Sequence, residues 1–145
     1  MAGEGTGDRA DEAVVYALEP NLGAVEFQAV LVASGLAPRR PAESLDRLGR
    51  MLAGSDLIVT ARLGGRLVGV ARTLTDFAFC AYLSDLAVAR DVQGLGIGQT
   101  LIAETRRAAG PEASVLLTAA PGVEAYYDKI GMPRVAHAFR YDREA

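Results

Sequence analysis

The stretch RDVQGLGIGQTLIAETRRAAG, residues 90–110, decides the fold. It carries glycines at alternate positions, Gly94, Gly96 and Gly98, and passes without a break into an amphipathic helical pattern. Glycine is about 1 kcal/mol worse than alanine inside a helix, so three of them at a helix start answer another demand. At a strand-to-helix junction they let backbone N–H groups face open space, where the amides and the helix dipole attract a phosphate. Two familiar phosphate patterns do not fit. A P-loop needs Lys followed by Ser or Thr after its glycines, and here Gly98 is followed by Gln99 and Thr100. A dinucleotide fingerprint needs a third glycine separated from its second by two residues, and an acid about 20 residues later, whereas the downstream SVLLTAAPG ends in alanines. What is present is Gln93-x-x-Gly96-x-Gly98 behind a strand that ends at Val88.

Upstream, VVYALEP reads as a first strand, β-branched at its start and stopped by Pro20. LGAVEFQAVLVASGL places Leu22, Val25, Ala29 and Val32 at helical spacing and ends at Gly35; a second helix restarts near Pro41 with Leu45, Leu48, Met51 and Leu52 on one face. DLIVTAR and RLVGVAR form a hairpin around Gly64-Gly65, and CAYLSDLAV is the strand that enters the glycine segment. Beyond the helix at 95–109 come a strand SVLLTAA, a short helix PGVEAYYDKIG and a last strand RVAHAFRY. The order β-α-α-β-β-β-α-β-α-β implies a single α/β sandwich with a mixed central sheet: the hairpin strands run antiparallel, and the strand-helix-strand unit around Gly96 is a right-handed parallel crossover. Residues 1–12 are expected to be a mobile tail and 13–145 one domain, since 145 residues bury a substantial core but are too few for two ordinary domains.

Composition narrows the function classes. Half of the residues are hydrophobic, 23% are charged and the net charge is -3, which argues against disorder and against a nucleic-acid partner. The same balance disfavours a polyanionic partner, although Arg39 and Arg40 make a local basic loop. No run of 18 apolar residues and no apolar leader occurs, so neither a membrane span nor a secretion signal is expected. Lys129 is the one lysine among 15 Lys and Arg residues, a bias that fits a high-GC bacterial genome. Cys80 is the sole cysteine, which excludes an intrachain disulfide and a cysteine-built zinc site and fits a reducing cytoplasm; in a strand it is expected to be a small buried hydrophobe. No metal is expected.

Three segments in order, the strand SDLAV, the loop QGLGIG and the downstream AYYDKIGM, resemble the GNAT superfamily of acyl-CoA-dependent N-acetyltransferases. The motifs occupy about Leu83 to Met132, and the element order is similar over nearly the whole chain. The stretch from the PRR loop to SDLAV is also loosely similar to plant and cyanobacterial serotonin N-acetyltransferase-like proteins, but Ala119 and Ala120 stand where those carry a polar residue. The resemblance implies transfer of an acetyl group from acetyl-CoA to a primary amine, of a small molecule or of a protein, by direct attack in a ternary complex. It implies that backbone amides of Gln93, Gly94, Leu95, Gly96, Ile97, Gly98 and Gln99 hold the pyrophosphate, and that Leu86, Ala87 and Val88 hold the pantetheine arm. The Val88 N–H would polarise the thioester carbonyl and the Tyr127 phenol would reprotonate the leaving thiolate, with Tyr126 a core aromatic.

An acceptor pocket is expected between the first two helices and the central strands, with Phe27, Leu31, Arg39, Phe77, Phe79, Tyr82 and Ser84 as candidate lining residues. Neither Tyr82 nor Ser84 is a convincing base, and Asp85 should point the other way by strand alternation unless a bulge turns it; water is the expected proton route. His137 is expected to pack in the last strand. A non-catalytic acyl-CoA sensing module is the alternative, and a homodimer paired through sheet edges or last strands is expected, with Val135, Phe139 and Tyr141 supplying apolar contacts.

Overall fold

A computed structural model describes residues 13–145; the tail expected at 1–12 lies outside the described residues. The chain begins with β1 (Val15–Leu18), followed by α1 (Ala24–Ser34) and α2 (Leu45–Ala53). Helix α1 stops at Gly35, which takes the left-handed φ of 86° that glycine adopts without steric cost. Ser44 starts α2, its Oγ accepting the Arg47 N–H at 3.1 Å. Strands β2 (Leu57–Leu63) and β3 (Arg66–Thr75) form the expected hairpin, with Gly64 and Gly65 both at positive φ in the turn. β4 (Cys80–Val88), α3 (Ile97–Ala109), β5 (Ser114–Leu116) and α4 (Glu124–Lys129) complete the element order.

The five strands lie in sequence order, antiparallel from β1 to β4, and β5 joins β4 in parallel. One apolar cluster joins Phe27, Val30, Leu31, Leu48 and Leu52 to Val70 and Ala87, placing α1 and α2 on one face of the sheet. A second joins Val59, Ala61, Val68 and Ala71 to Ile97 and Leu101, which packs α3 on the other face. The mixed α/β sandwich therefore stands as read from the sequence.

Three expectations do not hold. RVAHAFRY forms no strand, and residues 135–145, His137 among them, are exposed. Helix α1 buries Phe27, Val30 and Leu31, while Val25, Ala29 and Val32 face solvent. This helix is apolar nearly all round, so spacing alone does not select the buried stripe. Cys80 is exposed rather than buried, because it opens β4 just after a turn in which its N–H donates to Asp76 Oδ1 at 3.1 Å.

Candidate active site

β4 and β5 share only the pairs Cys80↔Ser114, Ala81↔Val115 and Tyr82↔Leu116. Beyond Tyr82 the two strands part, and the β4 edge from Leu83 to Val88 has no strand beside it among the described residues. The directions of its peptide groups follow from the ladder on the other side. Ala89 N–H donates to Val68 O at 2.8 Å, toward β3, so the N–H one residue earlier, on Val88, points away from β3 into the opening. The Val88 carbonyl, also directed outward, accepts the Gln93 side-chain amide at 3.0 Å. Gln93 thus ties the glycine loop to the strand end and leaves the adjacent N–H facing the opening.

The loop runs through the short turn Arg90–Val92 to Gly94 and Gly96, at φ of 89° and 80°. These two glycines are required by backbone shape, since a side chain in the left-handed region costs roughly 1–2 kcal/mol. A Cβ built on either would meet nothing within 4 Å, so the loop borders open space. The first helical bond of α3 is Thr100 N–H to Gly96 O at 3.1 Å. The N–H groups of Ile97, Gly98 and Gln99 therefore have no partner within the helix, and no side chain caps Gly96. Open space, unpartnered amides and the positive end of a 13-residue helix together fit a pyrophosphate.

Gly98 departs from the expected role. Its φ is ordinary, and a Cβ there would stand 2.5 Å from the Tyr126 hydroxyl oxygen and 3.8 Å from Val88 Cγ2. The missing side chain makes room for Tyr126, a residue expected in the core, whose phenol reaches the first turn of α3. Tyr126 and Tyr127 are half-buried, with ring centroids 5.1 Å apart and planes at 80°. Burial pushes both phenols above the usual tyrosine range, and Tyr127 is raised further by its neighbour's charge.

Of the residues expected around an acceptor, Phe27 and Leu31 are completely buried in the core and line no opening. Arg39 lies exposed on the turn Ala37–Arg39, Phe77 and Phe79 are exposed between β3 and β4, and Tyr82 lies beside a groove bordered by Leu74, Cys80 and Leu116. Ser84 is half-buried on β4. Asp85, by contrast, is completely buried between Arg40 and Arg72. Sequence reasoning missed both arginines; a buried Asp in a central strand was the available signal, since it requires cationic partners. Among the described residues, no three His, Cys, Asp or Glu side chains converge as a metal site, and no helix is long and apolar enough to cross a membrane.

The family model of the acetyltransferase (GNAT) domain matches residues 38–142. No curated protein sequence matches the chain. Solved structures share its fold: a GNAT-family acetyltransferase from Streptococcus pneumoniae TIGR4 is 21% identical at a TM-score of 0.71, over 91% of this chain and 100% of that one. A ribosomal-protein-alanine N-acetyltransferase from Brucella melitensis is 21% identical at 0.64, over 92% and 100%. The aminoglycoside N-acetyltransferase AAC(6')-Iy in complex with CoA is 14% identical at 0.70, over 92% and 97%.

Proposed function

Because the chain belongs to the GNAT acetyltransferases, we propose that it moves an acetyl group from acetyl-CoA to a primary amine, of a small molecule or a protein. The observation that carries this reading is the junction at Val88. An outward strand N–H, the parted β4 edge and the amides of α3 that lack helical partners follow one another along the chain between Leu83 and Gln99, as a binder of an acyl thioester and its pyrophosphate requires.

In this reading the amides of 93–99 bind the pyrophosphate, and the β4 edge at 86–88 binds the pantetheine arm. The Val88 N–H donates to the thioester carbonyl oxygen as it gains negative charge, a contribution typically worth about 3 kcal/mol. The amine nitrogen forms the C–N bond and loses a proton to water; the C–S bond breaks and the Tyr127 hydroxyl gives its proton to the thiolate. A phenol is protonated at neutral pH, so the proton is in place when the thiolate leaves; burial holds the Tyr127 hydroxyl above the usual tyrosine range. Arg39, Tyr82 and Ser84 are the proposed acceptor-side residues, and the protein is proposed to work in the cytoplasm as a homodimer.

Titration calorimetry with CoA, followed by a panel of amines assayed for free thiol with acetyl-CoA, tests the reading. Saturable binding with thiol release on at least one amine is expected. CoA binding with no turnover on any amine would favour a sensing module, and no binding would end both.

A further inference from the structure

We infer that Arg40, Asp85 and Arg72 form a positioning cluster that fixes the frame of the β4 edge, and with it the direction of the Val88 N–H. The inference rests on the acyl-transfer reading above and adds residues to it. β3 and β4 pair regularly from Thr75↔Ala81 to Thr73↔Leu83, and then the register skips: Arg72 pairs with Asp85, leaving Ser84 as an extra residue on β4. Peptide groups and side chains both alternate along a strand, so one inserted residue exchanges their directions at every position beyond it. The bulge thus decides which residues of 85–88 turn their N–H groups into the opening.

An inserted residue has no partner in the ladder and must be held by something else. Arg40 Nη2 donates to the Ser84 carbonyl at 2.8 Å, and Arg72 Nη2 donates to the Ser84 hydroxyl at 3.0 Å. The two Nε groups donate to Asp85, one to each carboxylate oxygen. Arg40 Nη1 is anchored on the Arg39 carbonyl at 2.8 Å, and Arg72 Nη1 on Ser55 Oγ at 3.2 Å. Ser84 and Asp85 are thereby gripped by the same pair of guanidiniums although they are adjacent in a strand, and this is how the bulge turns Asp85. With both oxygens occupied by arginines and no exposure, Asp85 acts as an anchor for the bulge and not as the base for the amine. The cluster joins the α1–α2 connection, the end of α2, β3 and β4 at one residue of the proposed site.

Arg40 is the position to alter, because it sits outside the sheet and is partly exposed, whereas truncating Arg72 or Asp85 leaves a buried unpaired charge. Arg40→Met removes the grip on Ser84; Arg40→Lys keeps a charge near Asp85 but loses the fork that binds two acceptors at once. Amide exchange in a peptide spanning 82–88 should be at least about tenfold faster in Arg40→Met and intermediate in Arg40→Lys, with β2 unchanged. The thioester carbonyl stretch of bound acetyl-CoA should shift less than in the parent, while CoA affinity stays within about threefold, because the pyrophosphate amides lie elsewhere. Unchanged exchange at 82–88 in a folded variant, or acceleration spread evenly through the sheet, would overturn the inference. Should Arg40→Met fail to fold, Arg40→Lys carries the same comparison. Failure of the parent chain to bind CoA would instead reject the acyl-transfer reading, and the exchange data distinguish the two.

Discussion

Tyr126 and Tyr127 stand edge to face, with the Tyr126 hydroxyl against the first turn of α3, and only one of them is expected to supply the proton. Tyr127→Phe removes one oxygen and keeps the ring, so CoA affinity should barely change while turnover falls about 10²-fold, roughly 3 kcal/mol of barrier. The loss should appear in kcat rather than KM, and an acyl donor with a more acidic thiol should narrow it. Its pH profile carries a sign as well. A phenol raised by burial stays protonated to higher pH than free tyrosine, so the alkaline fall in rate should come later than a free tyrosine would give in the parent and be missing from the variant. If Tyr126→Phe shows these losses and Tyr127→Phe does not, the proton comes from the hydroxyl packed on Gly98. Both tyrosines were legible as a motif, but their division of labour was not, because it depends on a contact between Gly98 and Tyr126 across 28 residues. Phe27 was misplaced, and the arginine partners of Asp85 went unseen, for a related reason: both depend on residues distant in sequence.

At the level of elements, the glycine loop has two separable requirements. Gly96 needs a left-handed backbone whether or not a ligand is present, so Gly96→Val strains the loop itself. Gly96→Asn is the cleaner probe, since asparagine tolerates that region while its side chain projects into the open space where a pyrophosphate would approach. Gly96→Asn should keep the parent circular dichroism and thermal midpoint within a few degrees but lose most CoA affinity in calorimetry. Retained affinity would mean that the amides of 93–99 are not the pyrophosphate site. Turn and cap chemistry made β2, β3, β4 and α3 readable, because Gly64-Gly65 and Gly96 act over a few residues. The buried stripe of α1 was hidden by its uniform apolarity. RVAHAFRY alternates in a way that suits a strand, yet alternation gives only a propensity, and pairing needs a neighbour that local sequence does not specify.

For the whole molecule, that exposed segment is the basis of the proposed dimer. Phe139 and Tyr141 are fully exposed and Val135 is 61% exposed, an apolar alternation that a second copy can cover by strand pairing. Light scattering at tens of micromolar should give twice the chain mass, and Phe139→Glu should return it to one; a monomeric parent would reject the dimer. The parting of β4 and β5 carries a different consequence. Only three residue pairs join β5 to the sheet, so β5 is held by a narrow seam and is a part expected to open early. A co-substrate lodged between the two strands would close that seam, making acetyl-CoA a structural staple as well as a reactant. By mass action, ligand at one hundred times its Kd adds about 2.7 kcal/mol of stability. Protease nicking between 110 and 123 should then slow in proportion to acetyl-CoA, so that the lifetime of the polypeptide follows the supply of its own acyl donor.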